Sequence, residues 1–169
     1  MKLQQKAALV GLLVFWSSLF MSVAHVQAKA SQTPISFSFS LVYIPGGHPD
    51  EKKWISEGIL HARKADHNGM AWGDLEGSTR YLGNLNAEID AAGHYVNGNG
   101  WGTFTIGTAS DWFEGILVLK IRNYLSISGQ LNCHGNGMYE GMHLKATFVL
   151  NLGTGSWEAE GTILDAHDG

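Results

Sequence analysis

The residues in this chain best suited to chemistry are glutamates set beside glycines. Glu-Gly recurs at 57–58, 76–77, 114–115, 140–141 and 160–161. Two of these steps lead into apolar runs. Glu140 keeps a two-residue period with Met142, Leu144, Ala146, Phe148 and Leu150, while His143, Lys145 and Thr147 take the other face. Glu114 keeps the same period with Trp112, Ile116 and Val118, although the opposite face of that run is also apolar. A carboxyl turned into apolar surroundings loses solvation and its pKa rises, which fits it for general acid–base work or for orienting a polar ligand atom. Glu114 and Glu140 are therefore the candidate catalytic pair. The competing reading is a bulge at Gly115 or Gly141 that turns each glutamate outward.

Other reactive groups are scattered. The eight histidines form no His-x-His pair, and no Cys-x-x-Cys exists. His61 and His67 lie six apart, with Asp66 beside the second. Cys133 and His134 are adjacent, which in a strand sends them to opposite faces. A metal site needs three or four converging ligands, so neither a metal nor another cofactor is expected. Gly98, Gly100 and Gly102 precede a strand rather than a helix, which fails the context test for phosphate binding. Cys133 is the only cysteine, so no internal disulfide can form, and it is expected as a small buried hydrophobe. Trp54, Trp72, Trp101, Trp112 and Trp157 read as core or rim packing. A planar exposed row of them would instead suit sugar stacking.

These groups must be positioned by strands. Residues 35–44 alternate, with Ile35, Phe37, Phe39, Leu41 and Tyr43 against Ser36, Ser38 and Ser40. Two prolines and two glycines in 45–50 end that run. Residues 54–64 read as a second strand, with a short helix as the competing choice. A turn is expected at 66–69, where Asn-Gly favours a tight hairpin. Strands follow over 70–83, 101–108, 112–121, 125–133 and 139–150, and a last one ends at Leu164. Loops are expected at 91–94, 97–100, 109–111, 134–137 and 152–155. About eight strands with short turns and no strong amphipathic helix suggest a sandwich or a barrel. Glycines inside the strands favour the barrel, whose corners use such bends.

The N-terminus reads as an address. Lys2 and Lys6 precede an apolar run over 7–24, then Val26-Gln27-Ala28 and Ala28-Lys29-Ala30. That is the pattern of a secretory signal peptide over 1–28, with a retained membrane anchor as the competing reading. A single domain over 29–169 is expected to remain, secreted or periplasmic. The 11 basic residues less the two signal lysines leave 9 against 15 acids, a formal charge of −6. Such a balance excludes neither ligand binding nor catalysis. It does not suit nucleic acid or, after signal cleavage, an anionic membrane.

Residues 100–106 (Gly-Trp-Gly-Thr-Phe-Thr-Ile), 112–115 (Trp-Phe-Glu-Gly), 137–142 (Gly-Met-Tyr-Glu-Gly-Met) and 155–164 with its Trp157-Glu158 and Glu160-Gly161 resemble a known framework. The likeness is to small bacterial proteins of the allene-oxide-cyclase-like barrel class, to whose broad group plant allene oxide cyclases and dirigent proteins belong. It covers roughly residues 100–165. It implies an eight-stranded antiparallel barrel with an apolar cavity open at one end, and it leaves a homo-oligomer as an option. No allene oxide cyclase catalytic residue maps onto a matching motif. The expected function is binding of a small, mostly apolar molecule in the lumen, lined by Phe37, Phe39, Trp101, Trp112, Met142, Leu144 and Phe148. A cyclase or isomerase acting there, or a carbohydrate-binding β-sandwich, are the alternatives.

Overall fold

The computed structural model describes residues 31–123 and 125–165. The expected signal segment, 1–28, lies outside them. The described chain is mostly strand: β1 (Ser31–Phe39), β2 (Val42–Ile44), β3 (Lys52–Ser56), β4 (Ile59–Gly73), β5 (Gly77–Ile89), β6 (Tyr95–Gly107), β7 (Trp112–Asn123), β8 (Ser126–Asn136), β9 (Met142–Asn151) and β10 (Ser156–Asp165). One 3-10 turn, Gly137–Tyr139, separates β8 from β9. Every pairing is antiparallel. β4 through β10 form a meander, β10 pairs with β1, and β1 pairs with β4. Eight strands therefore close into a barrel-like ring, in place of the sandwich considered from sequence.

The alternation in 35–44 survives, but as two strands, β1 and β2. β1 runs along β10 from Ser31↔Asp165 to Phe39↔Trp157, and its last three residues also pair with β4. Ser40 and Leu41 separate the two strands without a change of register on β4, Phe39↔Ala71 being followed by Val42↔Asn68. The Ser40 N–H donates to the Met70 carbonyl (2.8 Å), and Thr79 Oγ1 donates to the Ser40 carbonyl (2.9 Å). β2 then continues along the same edge of β4. β3 covers the remainder of that edge.

Some expected turns are strand. Residues 66–69 lie within β4, and 97–100 lie within β6. Gly69 is there for close approach rather than for turning: a Cβ at this position would sit 2.0 Å from the Ser40 carbonyl oxygen. The real hairpin of this region is at Glu57-Gly58, inside the strand expected over 54–64. Both residues take positive φ (51° and 76°), as a tight primed turn requires.

The interior is packed with aromatic rings. Phe39 is fully buried and lies 5.3 Å from Phe104, 5.7 Å from Phe148 and 6.1 Å from Trp157, ring to ring. Phe113, Leu117, Leu131, Cys133 and Leu144 complete this core. Tyr139, carried by the 3-10 turn, stacks on Phe113 at 4.7 Å and packs against the core at that end of the ring. Burial of Cys133 pushes its thiol pKa up to about 12, and the Glu114 carboxylate adds to the shift.

Truncating the central ring by Phe39→Ala is expected to lower the unfolding free energy by about 3–5 kcal/mol, measured by urea denaturation. The Cys133 thiol should react with a thiol reagent only through unfolding, so its labelling should accelerate in the same variant. Rapid labelling of the unmutated folded protein would contradict the packed core.

Candidate functional site

Sequence pattern placed the chemistry on Glu114 and Glu140, and the structure brings neither inside. In β7 the buried residues are Phe113, Leu117 and Ile121, while Ile116 and Val118 are exposed. Glu114 shares the outward face with those two and with half-buried Trp112. The Glu-Gly step explains this. Successive side chains alternate, so a glycine facing inward sends its neighbouring glutamate out. Gly115 sits opposite Phe104 and Cys133, both core residues. Glu140 is exposed for a different reason. It follows the 3-10 turn, where its N–H donates to the Gly137 carbonyl (3.1 Å), and β9 begins only at Met142. The expected acid–base pair is not formed.

The residues expected to line a lumen divide. Phe37, Phe39, Leu144 and Phe148 face inward, but they are buried against one another, with Met142 packed on their edge. They fill the ring. Trp101 lies on the outer face of β6 and is 40 % exposed. The Arg63 guanidinium stands 5.5 Å from the Trp101 ring and 5.4 Å from that of Trp54, so the two indoles flank a cation. Trp112 is also outward.

The interior opens elsewhere. At the end of the ring opposite Tyr139 lies a cavity of about 190 Å³. Leu60, Ala62, Ala65, Leu85 and Leu119 supply apolar wall, and Tyr43, His67, Tyr81 and Tyr95 bring rings to it. Lys53 of β3 is at its rim, with its ammonium 3.8 Å from the centre of the Tyr43 ring. The appended strands β2 and β3 thus complete a wall that the eight-stranded ring leaves low. Their connection is tied down. The Tyr43 hydroxyl donates to Glu51, whose other oxygen accepts the Gly46 N–H (3.0 Å), and Lys64 pairs with Asp50 at 2.5 Å.

Tyr81 is the central polar group of this cavity. It is 5 % exposed, and among the described residues its hydroxyl has no hydrogen-bond partner. Burial alone drives the phenol pKa far above its ordinary value, so it stays protonated. Gly83, two residues on and on the same face, fixes its direction. A Cβ on Gly83 would lie 2.0 Å from Tyr81 Cζ and 2.1 Å from its hydroxyl oxygen. The phenol therefore lies along the strand over Gly83, which itself lines the cavity. His67 lies between Tyr43 (5.4 Å) and Tyr81 (5.5 Å), its ring tilted to both. Its Nδ1 donates to the Ala65 carbonyl at 3.3 Å. Desolvation holds the imidazole pKa below its usual 6.5, against a smaller upward pull from the backbone of Ala65 and Tyr81, so it is neutral at pH 7.

On the other face of β4, buried Asp66 accepts two bonds from Arg80, Nε at 3.0 Å and Nη2 at 2.8 Å. That pairing lowers the Asp66 pKa. Among the described residues, no group of three or more His, Cys, Asp or Glu is placed to hold a metal ion.

Sequence reasoning missed Tyr81, His67 and Gly83 as a unit. The available signal was an aromatic residue two positions before a glycine, a spacing that lets the ring lie flat over the missing side chain. Fold and cavity together define an all-β, barrel-like protein with a small apolar mouth. No protein-family model, curated protein or solved structure matches the chain.

Two titrations should appear in the stability. As pH falls, the unfolded chain protonates its histidine near 6.5 before folded His67 does, so stability declines from there down through the folded value. The lowered Asp66 pKa contributes stability that is present above 3.8 and lost as pH falls through its folded value. Thermal melts across pH 8 to 3 are expected to show both stages. His67→Gln should flatten the upper stage. Asp66→Asn should flatten the lower one and cost roughly 1–2 kcal/mol at neutral pH.

Proposed function

We propose that this chain is an exported, eight-stranded barrel of the allene-oxide-cyclase-like class that holds a small, mostly apolar molecule in its mouth. The observation that carries this reading is the cavity of about 190 Å³, walled by Leu60, Ala62, Leu85 and Leu119 and ending at a buried, unpaired hydroxyl. Ligand sites are mostly apolar concavities with a few placed polar groups, and barrel mouths are a favoured location for them. Here the aromatic plug around Phe39 fills the middle of the ring, so binding space is confined to one end.

The volume sets the size of the guest. A dry cavity of about 150 Å³ accepts benzene, so this one suits a single six-membered ring bearing one small substituent. Larger sterol-like or long-chain molecules do not fit the wall as it stands. The acidic surface and the outward Glu114 and Glu140 have no part in the reading.

Benzene and toluene titrated into isotope-labelled protein are expected to shift the methyl resonances of Leu60, Leu85 and Leu119 and to leave those of exposed Ile116 and Val118 unmoved. Ala62→Leu, which fills the cavity from its wall, should abolish those shifts while the protein stays folded. Shifts confined to the outer face, or none at all, would sink the proposal.

A further inference from the structure

We propose that the natural guest is a neutral ring compound carrying a carbonyl oxygen, and that the Tyr81 hydroxyl donates a hydrogen bond to that oxygen. This rests on reading the mouth as a ligand site and names the chemistry the site selects. Its starting point is the unpaired hydroxyl. Leaving a buried hydroxyl without a partner costs about 1–3 kcal/mol, and folded proteins satisfy nearly all such groups. Tyr81 cannot swing to find a partner, because its ring is held over Gly83 on one side and against His67 on the other.

Water is a poor solution at this position. A buried water needs two to four polar partners. The cavity wall is mostly apolar, and three of its polar side chains are engaged elsewhere. Asn84 turns to the Lys64 N–H (3.3 Å) and the Trp101 carbonyl (3.5 Å). The Tyr43 hydroxyl is bonded to Glu51, and His67 Nδ1 to Ala65. A carbonyl oxygen on an apolar ring needs a single donor, and its ring meets Leu60, Leu85 and Leu119.

Neutrality follows from the charges. Among the described residues that line the cavity, Lys53 alone carries a formal charge at pH 7, and its ammonium stands over Tyr43 at the rim. A carboxylate reaching Tyr81 would be buried without a cation beside it, a state that costs several kcal/mol. An ammonium there would be buried with no carboxylate among the described lining residues.

The test uses two guests of nearly equal shape, cyclohexanone and methylenecyclohexane, which differ in =O against =CH₂. Each is titrated by calorimetry into the full-length protein and into Tyr81→Phe. The expected result is that the substitution weakens cyclohexanone about five- to tenfold, the equivalent of one neutral hydrogen bond. Methylenecyclohexane should bind the variant as well as before or better, which also shows that the variant is folded. The unliganded variant should melt at the same temperature or higher, since it loses an unsatisfied group. Equal weakening of both guests, or no change in either, would overturn the carbonyl assignment and leave the apolar site standing. A lower melting temperature for the free variant would show that the hydroxyl already has a partner and would also overturn it. Failure of both guests to bind the unmutated protein would remove the ligand site itself.

Discussion

The second edge of β4 is the constraint on which the rest depends. One edge pairs with β5 along most of its length, as any strand of a meander does. The other must be covered if the ring is to close, and three separate pieces cover it in turn: β3, β2 and the end of β1. An uncovered strand edge is a template for wrong pairing, so this arrangement protects the sheet as well as shaping it. Beyond Phe39, where the pairing of β1 with β10 ends, the same stretch keeps its register along β4. Without Gly69, the backbone there could not approach closely enough for the Ser40–Met70 bonds to form.

Closure also decides where space is left. Rings from β1, β6, β9 and β10 meet at Phe39, Phe104, Phe148 and Trp157 and occupy the middle of the ring. Several inward positions are glycine, which makes room for rings from neighbouring strands. Gly129 sits directly opposite Phe148 in the ladder and would clash with its ring if it carried a Cβ. Towards the mouth several inward residues become small, Ala62, Ala65 and Gly83. The cavity is thus what remains when large residues are gathered at one level and small ones at another.

Much of the fold was legible in the sequence, because a half-buried strand writes its orientation in period two. The inward faces of 35–44 and of 142–150 could be read directly. The run 112–122 could not, since both its faces are apolar and periodicity has nothing to choose between. Its outward face carries Ile116 and Val118 in the open, so hydrophobicity pointed the wrong way for Glu114. Glu140 was misread because a 3-10 turn resets the alternation just before β9. The Asn-Gly pair in β4 shows the limit of turn chemistry: composition permits a turn, and a long ladder on both edges overrides it. The mouth was the least legible part. Its polar group is a tyrosine, which sequence reads as packing, and its function-bearing property, an unmet hydrogen bond, exists only once the strands are assembled.

The ladder between β1 and β10 joins Ser31 to Asp165, the two ends of the described chain. Every other ring pairing except that of β1 with β4 joins strands adjacent in sequence and can form as a local hairpin. During synthesis, therefore, a growing chain can zip β4 through β9 into an open sheet, but it cannot close until its last strand exists. Non-local pairings of this kind form slowly, and an open sheet with free edges is the species most exposed to aggregation. The architecture thus places its most vulnerable moment at the end of assembly, when β10 meets β1.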